Sequence, residues 1–401
     1  RAASGSVLPG KNPKKVLSYF KHMISIDWIK SYIEGMIYVN TEKNEDERAS
    51  IPAFREFPKI TVSPREIVAP KLVLPDSSLS DTEKIISILT AKEVRRGSSS
   101  MLKPFIPEIS ENIGRLVKNK QPINFILPSL PFKDQSPFTT GVPINHTDLS
   151  EHAMFAQLKR ILDAIASVYE PGGHFTLLCD GYVYADVFAQ GDKDGAGRYK
   201  ASCEKIKNTY DLHNQITLFD MREVFFDMPE WPDIKHEIES SVNKLYQENT
   251  EIKNRIDVLA KRFIYHVALP APYFSYENAR EVYQQNPWPE WLQELLTRSA
   301  IEYIVLHLTL AHTKLTQRAF PSAIRCTVHP KPAAQLPLHL TNQQNSLLPY
   351  NGIAAIMNNE EENLFSSLRV MRLSDVLGYT NVEANYLEDD KYPFFYRIRA
   401  N

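Results

Sequence analysis

Glycine is scarce in this chain, 14 among 401 residues. None falls in a G-x-G-x-x-G turn after a strand or in G-x-x-x-x-G-K-[ST], so the backbone loops that cradle nucleotide phosphates are excluded. Cysteine is scarcer: Cys179, Cys203 and Cys326 form an odd set without metal-type spacing. That excludes a disulfide framework and a structural zinc site, and a reducing, cytoplasmic setting is expected. No apolar run reaches the roughly 18 residues that a bilayer span needs. No charge sign dominates, with 46 Lys and Arg against 48 Asp and Glu for a net charge of -2. The chain therefore has no electrostatic drive towards nucleic acid or an anionic membrane. Solenoid-period repeats and low-complexity tracts are absent too. The opening "RAASGS" lacks a methionine and reads as a trimmed end, so no targeting signal is taken from it.

What is present is ordinary for a globular protein, 43% hydrophobic and 23% charged residues, on a chain long enough for one large or two medium cores. Its character changes near residue 80. Before that point, "KVLSYFKHMISIDWIKSYI" reads as a helix around Trp28, followed by the charged "NTEKNEDERAS" and the proline-spaced "FPKITVSPREIVAPKLVLP". Residues 1–80 are expected to be an added N-terminal arm or small module, and residues 81–401 an α/β domain. In the latter, "INFILP", "HFTLLCD", "QITLFDM" and "AIRCTVHP" read as strands. "EHAMFAQLKRILDAIASVY" has a helical stripe through Met154, Phe155, Leu158, Ile161, Leu162, Ile165 and Val168. Alternation of this kind predicts a Rossmann-like, mostly parallel sheet in which "INFIL" and "HFTLLC" are near neighbours. Residues 232–316, interrupted by "ALPAPYFSYENA", predict a helical cap region.

In open α/β sheets ligands bind beyond the carboxyl ends of the strands. Lys133 follows "INFIL", Asp180 follows "HFTLLC", Asp220 follows "ITLF", and His329 with Lys331 follows "IRCTV". Four strand ends thus carry ionisable groups towards one rim. Each residue also has a structural reading. A loop lysine is ordinarily a solvated surface group. Asp148 and Glu151, three apart at a helix start, fit a capping box, although a helix N-terminus also suits an anionic ligand. Asp180-Gly181 fits a turn, and Arg325 inside a strand needs an anion, either a protein carboxylate or a bound phosphate. Cys179 and Cys326 lie in apolar strands and are expected to be packed rather than reactive. Tyr182, Tyr184, Phe188 and Tyr350 belong either to the core or to an apolar side-chain pocket.

Taken in order and spacing, "INFILPSLPFKDQSP", "TDLSEHAMFAQLKRILDAIASVYEPGGHFTLLCDGYVYADVF" and "IRCTVHPK", with "AKEVRRGSS" in the place of a paired-arginine segment, resemble the isonitrile (isocyanide) synthases, the pyoverdine and dityrosine biosynthesis family. The resemblance runs from about residue 82 to the C-terminus and leaves residues 1–80 outside. It implies conversion of an L-amino acid's amino group to an isonitrile with ribulose 5-phosphate as carbon donor, or to a formamide as in dityrosine relatives. It implies no metal or cofactor beyond that co-substrate, and a downstream Fe(II)/2-oxoglutarate oxygenase as pathway partner. Such chemistry requires a cationic clamp for the sugar phosphate and acid-base groups near pKa 7. Lys133, Arg325, Arg95 and Arg96 are the expected phosphate ligands, with Lys331 a further cation. Asp180 and Glu151 are the expected acid-base pair, with Lys133 and His329 beside them, and Asp148, Asp186, Tyr350 and Asn351 near the substrates.

Three departures accompany the match. Ser136-Pro137 and Thr139 stand where the family reads Asn-Pro and then a second lysine. "TDLSE" keeps both acids of a Pro-Asp-x-Gly-Glu run without its turn residues. Tyr350-Asn351 replace Trp-His, and asparagine cannot take up a proton near neutral pH. Proton transfer would then fall to His329 or His146. Two functional readings follow, an active synthase or a diverged paralogue that binds and regulates.

Overall fold

The computed structural model describes residues 24–38, 51–64, 66–185, 187–188, 194–225, 228–271, 273–329, 333–345, 347–357 and 363–399. Asp186, Lys331 and the part of the first expected helix before residue 24 lie outside them. The chain enters through helix α1 (Ile26–Tyr38) and a short strand β1 (Lys59–Thr61), then helices α2 (Asp81–Thr90) and α3 (Ile106–Lys118). From there strands and helices alternate: β2 (Ile123–Ser129), α4 (Leu149–Val168), β3 (Gly173–Cys179), α5 (Gly195–Thr209) and β4 (Ile216–Asp220). A helical stretch follows, α6 (Trp231–Glu248), α7 (Thr250–Arg262), α8 (Tyr276–Tyr283) and α9 (Glu290–Thr313), before β5 (Ile324–Thr327) and β6 (Leu336–Pro337).

These strands form an all-parallel sheet in the order β4-β3-β2-β5-β6. The reason is visible in β2 and β3, which are apolar on both faces as a sheet covered on both sides requires. Phe125 and Leu127 of β2 point to the cluster of α2 to α5, whereas Ile126 points to that of α6 to α9. Phe125 and Phe175 are register partners and stack with ring centroids 4.8 Å apart. All four expected strands, the helix over residues 149–168 and the helical cap are present. "INFIL" and "HFTLLC" pair in parallel along their whole length.

A second sheet is absent from the sequence reading. After β6 come β7 (Ile353–Met357), β8 (Leu368–Met371), β9 (Val382–Tyr386) and β10 (Phe395–Ile398). They join β1 in the order β1-β9-β10-β7-β8, with β1/β9 and β10/β7 parallel and the other pairs antiparallel. This mixed sheet extends the expected architecture. It also draws residues before 80 into the fold: β1 closes one edge, and α1 packs against α6, α7 and α9 through the fully buried Ile29 and Ile33. Among the described residues no helix is long and apolar enough to cross a membrane.

Candidate active site

The loop after β2 turns sharply at Leu130, whose φ of 62° is unusual for a branched side chain, and delivers Lys133 inward. Its ammonium is fully buried. It lies 3.0 Å from Asp148 Oδ2 and 3.0 Å from Glu151 Oε1, and donates to Ser150 Oγ at 3.3 Å and to the Pro349 carbonyl at 2.9 Å. Asp148 and Glu151 are the capping box of α4, as the spacing indicates. They are equally buried, and Tyr199 donates to Glu151 Oε1 at 2.8 Å. Burial pushes the Lys133 pKa down, but Asp148 and then Glu151 outweigh it and hold the ammonium charged. Burial likewise works against the Asp148 carboxylate, and Lys133 overcomes it. With the cation shared, burial lifts Glu151 to about 7. One lysine between two carboxylates is therefore a sealed, hydrogen-bonded cluster that anchors the Pro349 carbonyl.

That anchor fixes one wall of a cavity of about 600 Å³ at the carboxyl ends of β2, β3 and β5. Asp180, Arg325, His329, Tyr350 and Asn351 line it. Lys133, Asp148 and Glu151 do not; they stand directly behind the 349–351 turn, which also receives the Asp134 N–H on the Tyr350 carbonyl at 2.9 Å. Arg95 is turned to its own segment, donating to the Thr90 and Gly97 carbonyls. Arg96 is held by its backbone on Pro337 (2.9 Å), and burial lowers its pKa while Tyr350 nearby raises it. Asp220 is taken up by Arg222, whose guanidinium clasps it at 2.5 to 3.1 Å. His146 packs against Tyr392 and the Pro393 carbonyl (3.2 Å), outside the cavity lining.

Asp180 is the sole carboxyl among the described lining residues. Its Oδ1 is buried without a hydrogen-bond partner among the described residues, and burial lifts the group to about 8, so it is largely a neutral acid at pH 7. Gly181 explains how the carboxyl is placed. A Cβ there would lie 1.7 Å from the Pro131 carbonyl oxygen, so only glycine lets the end of β3 meet the loop after β2. Arg325 faces the same space with no carboxylate in ion-pair range among the described residues, and burial lowers its pKa. With the Gln317 amide turned so that both ends are satisfied, it accepts from Arg325 at 2.5 Å and donates to the Lys314 carbonyl at 3.2 Å. Arg262 and Lys314 add two more cations, and Tyr184, Phe188, Phe263 and Tyr303 an aromatic wall.

Beyond Arg262, Phe263 and Tyr303, sequence reasoning missed four groups here. Lys314 caps α9 in the left-handed region (φ 48°), and Tyr32 comes from α1. His307 lies one ring-width from Tyr303 (centroids 4.3 Å) and 3.1 Å from the Tyr184 hydroxyl. His266 places Nδ1 2.7 Å from Asp134 Oδ2. A histidine inside the apolar "FIYHVALP" was the available signal for the last of these.

The strand ends of this α/β sheet thus bring together an acid of raised pKa, a guanidinium without a carboxylate partner among the described residues, and an aromatic wall. The sequence profile of the family described as pyoverdine/dityrosine biosynthesis protein matches residues 113–376, and the chain belongs to that family. It is 26% identical over 257 residues to the L-tryptophan isonitrile synthase AmbI1 of Fischerella ambigua, covering 63% of this chain and 72% of that one. It is 25% identical over 295 residues to an L-tyrosine isonitrile synthase of Pseudomonas aeruginosa, covering 72% and 83%. The crystal structure of the PvcA protein from Pseudomonas aeruginosa shares the fold, with a TM-score of 0.59 and 18% identity over 80% of this chain and all of that one.

Proposed function

We propose that this protein is an amino-acid isonitrile synthase that takes its extra carbon from ribulose 5-phosphate. The carrying observation is the cavity's composition: Arg262, Lys314 and Arg325 as cations against Asp180, the single carboxyl among the described lining residues. A sugar phosphate supplies the anion that Arg325 lacks, since a guanidinium binds phosphate oxygens in a bidentate fork. The aromatic wall accommodates an aromatic or apolar amino-acid side chain. Asp180, neutral at pH 7, can hydrogen-bond to the ketone oxygen and polarise the carbonyl as the amine attacks. Lys133, Asp148 and Glu151 act from behind by positioning Tyr350 and Asn351.

The test is incubation of the full chain with ribulose 5-phosphate and a panel of L-amino acids, followed by mass spectrometry for isonitrile and formamide products. Turnover of at least one aromatic amino acid is expected, and Arg325→Ala should weaken ribulose 5-phosphate binding by about tenfold or more in calorimetry. Tyr350-Asn351 favour one second reading, a diverged paralogue that binds both ligands without turnover. Binding without product would select it.

A further inference from the structure

The segment Ile264–His266 is docked onto the loop after β2 by three side chains of that loop. Ser136 Oγ donates to the Ile264 carbonyl at 3.0 Å, Thr139 Oγ1 donates to the Tyr265 carbonyl, and Asp134 receives His266 Nδ1 at 2.7 Å. All three loop residues are buried, and Ser136 and Thr139 are among the departures from the family pattern. The loop trades an added cation for a docking surface that fixes one imidazole.

Asp134 is itself immobilised. Its Oδ1 accepts the Ser136 N–H at 3.0 Å, and its own N–H donates to the Tyr350 carbonyl at 2.9 Å. A carboxylate only accepts, so His266 carries a proton on Nδ1, and in the neutral imidazole the lone pair is then on Nε2. Nε2 has no hydrogen-bond partner among the described residues. The ring lines the cavity between Phe188 and Phe263, at centroid distances of 6.0 and 6.4 Å, and a third of the side chain remains accessible (33%). A buried carboxylate, a fixed tautomer and an open second nitrogen facing a cavity are the three parts of a general-base dyad.

We propose that His266 is the proton-transfer residue of this cavity and Asp134 its positioning residue. The proposal rests on the synthase reading and names the group that replaces the histidine missing at Asn351. An amino acid enters as an ammonium ion. Nε2 takes one ammonium proton, and the freed nitrogen lone pair forms the C–N bond to the ketone carbon while the carbonyl π pair moves to oxygen. A proton shift from nitrogen to that oxygen gives the neutral carbinolamine. The imidazolium then returns its proton to the hydroxyl, the C–O bond breaks, and water leaves as the nitrogen lone pair closes the C=N bond. Ammonium and ketone become iminium and water, and His266 is regenerated with Asp134 unchanged as its counter-charge.

The experiment measures kcat, KM and ligand binding for the full chain and for His266→Ala, His266→Gln and Asp134→Asn. His266→Ala should lower kcat by about 10²- to 10⁴-fold with ribulose 5-phosphate and amino-acid affinities within a few-fold of the parent. Free imidazole should restore part of the His266→Ala rate, which a merely structural role would not allow. Asp134→Asn should lower kcat with KM little changed, because the amide can donate to Nδ1 and hold the other tautomer. His266→Gln keeps a hydrogen-bond donor for Asp134, so it secures a folded variant if alanine does not. Parent-like turnover in either His266 variant, or a loss that imidazole leaves unaltered while binding persists, would overturn the His266 role alone. A parent protein that forms no amine–ketone product would overturn the synthase reading and this inference together.

Discussion

Asp180 and Glu151 are both carboxyls lifted by burial, one to about 8 and the other to about 7, but their neighbours assign them different work. Glu151 is bonded by Lys133, Tyr199 and the Asp148 N–H, whereas Asp180 Oδ1 has no partner among the described residues. Because its folded pKa lies above the unfolded value, Asp180 contributes stability below pH 3.8 that is lost as pH rises to about 8. Asp180→Asn should remove that loss, so denaturation midpoints at pH 5 and pH 9 should converge in the variant relative to the parent. Lys133→Met is a different case. It leaves two carboxylates buried without their cation, and a loss of about 3–5 kcal/mol is expected in urea denaturation. At this scale the sequence showed which residues follow strands, so Asp180 and Arg325 could be placed. It could not show that Lys133 is covered, because what seals a loop comes from Pro349 and Tyr199, far along the chain. His266 was hidden for the same reason: its partner Asp134 is 132 residues away.

Elements were more legible than contacts. β2, β3, β4 and β5 are continuous apolar runs, and α4 announces itself by a 3.6-residue stripe and a capping box. β7 to β10 escaped because they are four- or five-residue strands, too short to announce a period, and β1 lies 325 residues from its partner in β9 (Ile60 with Asn385). Junctions between elements carry the tightest constraint. At Gly181 the obstacle to a Cβ is the backbone of Pro131, not the end of a flexible side chain, with Ala196 Cβ a further 2.7 Å contact. Gly181→Ala must therefore push β3 away from the loop that bears Lys133 and Asp134. Overpacking of this kind costs about 3 kcal/mol or more. The expected readout is a lower urea midpoint together with weaker ribulose 5-phosphate binding, and a variant unchanged in both would show that the two loops can separate freely.

For the whole molecule, the question is whether residues 1–80 are a separable arm. They lie outside the family match, which begins at residue 113, yet α1 places Tyr32 in the wall of the cavity and β1 closes the edge of the second sheet. Phe57 meets Tyr396 edge-on at 5.5 Å, and Ile29, Ile33 and Ile51 are buried in the core of the helical layer. Each such isoleucine contributes about 1.5–3 kcal/mol, so three of them together rival the 5–15 kcal/mol, roughly, that holds an entire domain. We propose that the segment is an integral layer of the enzyme, and that deleting residues 1–64 yields an insoluble or unfolded chain. Tyr32→Ala separates that structural contribution from the functional one. Tyr32 is half-buried, so its loss should leave the fold standing while it enlarges the aromatic end of the cavity. The KM for the amino acid should rise by about tenfold, the equivalent of about 1.4 kcal/mol, whereas that for ribulose 5-phosphate, which we propose binds through Arg325 at the strand ends, should stay within twofold, roughly. Initial rates with each substrate varied in turn measure both. Equal rises would place Tyr32 in the general support of the cavity, and no change in either would remove the N-terminal segment from the site.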